Sequence, residues 1–136
     1  MMFVLLVALA GCKEKENPLT RLKGGEWQLK TIQVDGKVVE NPSELPVLVF
    51  SDSTAVYGSA GCNRFFGEYI ADAQGNMTIK PSGSTMMACP DMEFEDCYLQ
   101  VLPQIKKFQI SGQELTLEGE SEKLQLVYIP VAAEEK

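Results

Sequence analysis

The sequence predicts a mainly β domain of the sandwich or barrel type that contains one helix. Short apolar segments recur at near-regular spacing from residue 19 to 130, and clusters of turn residues separate them. One stretch, residues 92–105, instead places most of its apolar residues on one face of a helix. The chain has 136 residues, a length that suits one domain with its own core.

The predicted strands are short, and most alternate between apolar and polar residues. They are expected at 27–34, 37–39, 47–50, 54–58, 65–70, 77–80, 108–110, 115–117 and 124–128. Asp35-Gly36 is a strong hairpin signal, and a change of phase near Thr31 predicts a bulge. Residues 47–50 are apolar throughout, which is typical of a central strand. Residues 81–85, which contain Gly and Ser, are interpreted as a loop.

The predicted helix covers residues 92–105. Asp91 can serve as its N-cap, and the acidic residues that follow complement the positive end of the helix. Pro103 is expected to kink the helix or to end its regular part near Leu102. Cys97 falls on the apolar face and is interpreted as a small buried hydrophobic residue.

The first residues predict export and lipid attachment. Residues 1–10 are continuously apolar, too few for a membrane-spanning helix of about 20 residues but suited to a signal peptide. They lead into Leu9-Ala10-Gly11-Cys12, which resembles a bacterial lipobox and implies cleavage before Cys12 and lipidation of its thiol. A short buried helix with an unmodified cysteine is the alternative.

These features divide the chain into four predicted parts. They are a signal peptide (1–11), a lipidated cysteine and tether (12–20), one domain (21–130) and a tail (131–136). The residue after Cys12 is lysine, which resembles the sorting pattern for the outer membrane. We therefore expect a protein of the cell envelope that is held on a membrane, the outer membrane in a diderm bacterium, through its lipid anchor.

Composition excludes several classes of function. The formal net charge is −7, so the chain repels nucleic-acid phosphates, and we expect no nucleic-acid partner. Histidine is absent, which excludes Ser-His-Asp and Cys-His catalysis and histidine-ligated zinc or haem within this chain. We expect no catalytic residues, no metal and no cofactor, and interpret the protein as a non-enzyme.

Three stretches, in order along the chain, carry a resemblance to a known family. They are Trp27-Gln28-Leu29, Gly61-Cys62-Asn63-Arg64-Phe65-Phe66-Gly67-Glu68-Tyr69 and Ser84-Thr85-Met86-Met87-Ala88-Cys89. Through them, residues 21–129 resemble the META/HslJ-type domain of small bacterial envelope proteins. The family-motif positions are Gly61, Cys62, Asn63, Arg64, Gly67, Thr85, Met87 and Cys89.

The resemblance implies a fold and a cellular setting without implying a reaction. The implied fold is mainly β (α+β), a small curved antiparallel sheet or partly closed barrel with one helix packed against it. The family is linked to heat shock and antibiotic tolerance. Because Cys62 and Cys89 both lie in family motifs, a disulfide between them is favoured. Two reduced core cysteines and a redox-active thiol are the alternatives, and the lack of a Cys-x-x-Cys motif disfavours the second.

The polar clusters each allow a functional and a structural interpretation. Arg64 can hold an anionic ligand, but the favoured interpretation is that Arg64 is solvated or paired. In that interpretation, Asn63 caps backbone groups in a turn that Gly61 makes possible. Acidic side chains can bind calcium, but their position at a helix N-terminus is a sufficient reason for them. These acidic residues are Asp91, Glu93, Glu95 and Asp96.

The sequence therefore predicts a non-enzymatic envelope lipoprotein with a binding or stress-tolerance role toward an unidentified protein or small molecule. A lipocalin-like carrier is the alternative, and it needs an interior cavity of about 300 Å³ or more. A small scaffold instead fills its interior with Trp27, Phe50 and Phe66. A core position is also expected for Met86-Met87, and a thiol-dependent redox protein is the least favoured alternative.

Overall fold

The computed structural model describes residues 17–131, so the predicted leader and Cys12 lie outside the described residues. Nine strands form one sheet in which every pairing is antiparallel. The elements are α1 (Pro18–Leu22), β1 (Glu26–Val34), β2 (Lys37–Val39), β3 (Val47–Phe50), β4 (Ala55–Ser59), β5 (Arg64–Ala71), β6 (Met77–Ser84), α2 (Met92–Val101), β7 (Lys107–Ser111), β8 (Glu114–Glu118) and β9 (Gln125–Pro130). The predicted mainly β class is confirmed.

The sheet curls until its two outer strands meet at one point. The strand order is β6-β5-β4-β3-β1-β9-β8-β7, with β2 paired to β1. Asn76, just before β6, forms a bridge with Lys107 of β7. The N–H of Met77 donates to the carbonyl of Lys106 at 2.9 Å, and the N–H of Phe108 donates to Gly75 at 2.8 Å. The result is a half-barrel, as the resemblance implied.

The interior of the half-barrel is packed with side chains from the sheet and both helices. Its largest fully buried side chains are Tyr98, Tyr128, Phe50, Leu22, Leu29, Ile32, Leu48, Ile79, Leu102, Ile105, Leu115 and Leu117. The hydroxyl oxygens of Tyr98 and Tyr128 lie 2.8 Å apart, and burial raises the pKa of both phenols. These side chains occupy the space that an interior ligand of a carrier would need.

Strand register decides which aromatic residues face the interior. Trp27 and Phe50 are buried, as predicted, but Phe66 is 58% exposed and its predicted core position is wrong. Along β5, Phe65 and Tyr69 point inward, so the alternation of a strand places Phe66 on the outer face.

Local turn signals are confirmed in β1 and the turn that follows it. The pairing of β1 with β9 shifts register between Leu29 and Thr31, where the bulge was predicted. Asp35 and Gly36 both have positive φ, 55° and 79°, the pattern of a tight two-residue hairpin turn.

The predicted loop at 81–85 is wrong for most of its length, because β6 continues to Ser84. Pro81 lacks an N–H but lies on the outermost strand, where proline is tolerated. The ladder shifts register at this point, opposite Gly67. A Cβ on Gly67 would lie 2.2 Å from the carbonyl oxygen of Lys80, so the close approach of these two strands requires glycine.

The two helices cover the ends of the curled sheet. Three residues assigned to the tether, 18–20, belong to α1, where the Asn17 side chain accepts the N–H of Leu19 at 2.9 Å. The regular part of the second helix ends at Val101, and a 3₁₀ turn (Leu102–Gln104) follows, as Pro103 predicted. Within residues 17–131, no helix is long and apolar enough to cross a membrane.

One detail of the predicted helix is confirmed in position only, and a second is wrong. Asp91 occupies the predicted N-cap position, but its side chain makes no capping hydrogen bond. Its Oδ2 instead accepts from the N–H and hydroxyl of Ser43 at 3.3 and 3.1 Å. Cys97 is half-buried rather than buried, and it packs against the edge of the core. Partial burial raises the pKa of its thiol.

Candidate functional site

The family-motif residues meet at one end of the half-barrel. The turn between β4 and β5 lies there beside the segment that joins β6 to α2, and the first turn of α2 packs against both. Side chains from these three segments, with the main chain of Met87, form one hydrogen-bonded and disulfide-linked set, which we call the motif clip. Its members are Cys62, Asn63, Thr85, Met87, Cys89 and Glu95.

A disulfide between Cys62 and Cys89 forms the covalent part of the motif clip. The two residues are 27 positions apart in sequence, and their Cα atoms are 6.3 Å apart. The pairing that the resemblance favoured is therefore present, and the alternative of two reduced core cysteines is wrong. Among the described cysteines, only Cys97 keeps a free thiol.

Asn63 uses both ends of its side-chain amide inside the motif clip. Its Oδ1 accepts from the Thr85 hydroxyl at 2.8 Å and from the N–H of Met87 at 2.7 Å. Its Nδ2 donates to the Met87 carbonyl at 3.0 Å and to Glu95 Oε2 at 2.5 Å. Only 1% of the residue is exposed, and these bonds replace the water that burial removes.

Glu95 accepts N–H groups from the turn between β4 and β5. Its Oε1 accepts from the main-chain N–H groups of Cys62 at 3.1 Å and Asn63 at 3.0 Å. The residue is 3% exposed, and its role was missed because it was grouped with the acidic residues of the helix N-terminus. A signal was present, since Glu95 lies on the same helical face as Tyr98 and Leu102, which are buried.

The remaining family-motif positions support the motif clip or face solvent. Gly61 has φ of 120°, a conformation that favours glycine and turns the chain into Cys62. The Thr85 hydroxyl also accepts the N–H of Arg64 at 3.1 Å. The Arg64 side chain is exposed, as the favoured interpretation predicted. The predicted role of Asn63 is wrong in one respect. Its side chain bonds to Thr85, Met87 and Glu95, and not to backbone groups of its own turn.

Met86 and Met87 lie at the surface, so their predicted core position is wrong. Met86 is 89% exposed and Met87 is 54% exposed. Phe66 on β5 is exposed as well, and it lies directly opposite Tyr57 on β4. The motif clip therefore buries polar groups and leaves apolar side chains in contact with solvent.

The carboxylates beside the motif clip are engaged by other groups of the protein. A cavity of about 310 Å³ opens beside the disulfide, and its lining includes Asp91 and Glu95. Both carboxylates accept hydrogen bonds from protein groups, Asp91 from Ser43 and Glu95 from the turn. In the described part of the chain, no three His, Cys, Asp or Glu side chains are grouped as a metal site.

Comparison with known proteins relates this arrangement to a family. The family model described as the META domain matches residues 20–130. A protein from Burkholderia xenovorans, solved by NMR, has a TM-score of 0.66 and 24% identity, over 92% of this chain and 95% of that one. A DUF4847-family protein from Bacteroides vulgatus, solved by crystallography, has a TM-score of 0.63 and 14% identity, over 82% and 96%. No curated protein matches the chain. The structural likenesses show a shared fold.

Replacement of the buried carboxylate tests the hydrogen bonds of the motif clip. Glu95→Gln places an NH₂ group opposite the Asn63 NH₂, and the Asn63 amide cannot turn over because its Oδ1 already accepts from Thr85 and Met87. We expect the free energy of unfolding to fall by about 2 kcal/mol. Urea denaturation followed by the fluorescence of Trp27, the single tryptophan, measures this change.

Glu93→Gln is the matched control, because Glu93 is exposed on the same helix. We expect it to change the free energy of unfolding by less than about 0.5 kcal/mol. Equal effects of the two substitutions would contradict the role assigned to Glu95.

Reduction tests the disulfide. A crosslink between residues 27 apart restricts the unfolded chain, so we expect reductant to lower the free energy of unfolding by about 3.5 kcal/mol. Urea denaturation with and without reductant measures the loss. The double variant Cys62→Ala/Cys89→Ala is the control and should not respond to reductant. A wild-type protein that also does not respond would disprove this contribution.

Proposed function

The chain belongs to the META-domain family, and we propose that it is a non-enzymatic lipoprotein of the cell envelope that binds a partner through its outer surface. One observation carries this proposal. The Asn63 and Thr85 side chains of the family motif are engaged in the internal bonds of the motif clip. Phe66, Met86 and Met87 instead face solvent. A stress-tolerance role is consistent with a domain that a disulfide stabilises in an oxidising compartment.

The path of the chain supports a surface that faces away from the membrane. The ammonium group of Lys23, just after α1, donates to the main-chain carbonyl of Asp52 at 3.4 Å. Asp52 lies in the turn between β3 and β4. The motif clip lies at the other end of β4. A lipid on Cys12 would be five residues from Asn17, a reach of at most about 18 Å. The anchor would thus hold the α1 end nearest the bilayer.

The two alternatives have less support. An apolar carrier needs interior space, and in the described domain buried side chains such as Tyr98 and Tyr128 pack the half-barrel. A thiol-dependent redox protein needs an accessible thiolate. Cys62 and Cys89 are bonded to each other, and partial burial raises the pKa of Cys97, which disfavours its thiolate.

Lipid attachment is tested on the full-length protein in a diderm bacterium. We expect Cys12→Ser to release the protein from the membrane fraction and to remove the lipid mass from the intact protein. Cys97→Ser is the matched control and should keep both. If Cys12→Ser stays on the membrane as the wild type does, the proposed anchor is wrong.

Partner binding is tested by a photoreactive side chain placed at single positions in living cells. Met86 and Phe66 are the test positions, because they are near each other in the fold. Phe66 on β5 pairs with Gly83 on β6, and Met86 follows Gly83 by three residues. Val38 on β2 is the control, since it is 75% exposed and apolar but lies on another part of the sheet. We expect one shared adduct at the test positions and not at Val38. Identical adducts at all three positions, or none, would contradict a binding surface here.

A further inference from the structure

Two methionine side chains project from the segment that the motif clip holds. We call Met86 and Met87 the methionine tip. At 89%, Met86 has the highest exposure of the large apolar side chains in residues 17–131, and Met87 is 54% exposed. A thioether at such a position is open to reagents in solution, unlike Met77, which is 2% exposed in the core.

The main chain under the methionine tip is held on both sides. The N–H of Met87 donates to Asn63 Oδ1, and its carbonyl accepts from Asn63 Nδ2. Before the tip, the N–H of Thr85 donates to the carbonyl of Arg64 at 2.9 Å. After it, Cys89 is joined to Cys62. The exposure of the tip therefore belongs to the folded state and does not require a loose loop.

We propose that the methionine tip is an oxidation site, at which a hypohalous oxidant such as hypochlorous acid converts the thioethers of Met86 and Met87 to sulfoxides. In the net reaction, sulfur forms a bond to the oxygen of the oxidant and the oxygen–chlorine bond breaks. Chloride leaves with the electron pair, and the proton goes to water. Sulfur is oxidised by two electrons and chlorine is reduced by two.

The other described methionines and the Cys97 thiol are less exposed than the methionine tip. Met77, the first residue of β6, is buried in the core. Met92 is half-buried, and its Sδ lies 4.0 Å from Asn63 Nδ2, which points a donor at the sulfur lone pair. Cys97 is half-buried and packs against the core. The folded domain thus directs methionine oxidation to the methionine tip.

Oxidation at the methionine tip leaves the fold unchanged. A sulfoxide adds a polar oxygen to each side chain, which is compatible with solvent but would disrupt a core. The contacts of Asn63 to Met87 involve only main-chain atoms of Met87, so they survive the reaction. The result is a surface that changes from apolar to polar without unfolding. This proposal does not depend on the proposed binding function.

The test is a titration of the purified, disulfide-bonded protein with hypochlorous acid, followed by peptide mass spectrometry that resolves each methionine. We expect Met86 and Met87 to gain oxygen at least about tenfold faster than Met77, with Met92 between them. In concentrated urea, the four sites should react at similar rates, which shows that the fold sets the order. Oxidation of Met77 or Met92 as fast as the tip in the folded protein would overturn the proposal.

Variants provide the matched controls. Met86→Leu/Met87→Leu keeps size and apolar character and should remove the fast phase of oxidant consumption, whereas Met92→Leu should retain it. After limited oxidation, the wild type should keep its cooperative urea transition. A fast phase that persists in the double variant, or a wild type that loses its urea transition after limited oxidation, would overturn the proposal. The site-resolved oxidation rates of the wild type test the proposal independently of the variants.

Discussion

Glu95 and Asn63 join three segments that are far apart in the sequence. The carboxylate of Glu95 accepts the N–H groups of the β4–β5 turn. The side-chain amide of Asn63 donates both to that carboxylate and to the main-chain carbonyl of Met87. Burial of either group alone would be costly, because each would lose water without a replacement. Together they satisfy one another, so the position of α2, the turn and the segment after β6 depend on this one pair.

The same constraint engages the polar side chains at this junction within the protein. The oxygens of Glu95 are directed at donors of the β4–β5 turn and of Asn63. The disulfide adds a covalent link across the same junction. Gly61 and Gly67 supply the positive φ and the close strand approach that the junction and the curled sheet require. These residues therefore hold the turn, the segment after β6 and the first turn of α2 together.

The interior and the outer surface of the domain differ in what they offer to other molecules. The interior is packed with apolar side chains and the paired hydroxyls of Tyr98 and Tyr128. The outer face carries Phe66 and the methionine tip, whose main chain the motif clip holds in place. Rigid support under exposed apolar side chains suits a surface that contacts other molecules, since little conformational entropy is lost on contact.

Local sequence signals determined most of the strands, the turn at Asp35-Gly36, the bulge near Thr31 and the end of the helix before Pro103, because neighbouring residues govern these features. They did not determine the last part of β6, residues 81–84, which was expected to be a loop. The family resemblance supplied the disulfide pair and the curled sheet. Only the tertiary structure decided that Phe65 rather than Phe66 faces the core, since period-two alternation does not say which phase is buried. It also decided that Glu95 is buried beside Asn63 and that Met86 is exposed, because these environments depend on contacts across about 30 residues of chain.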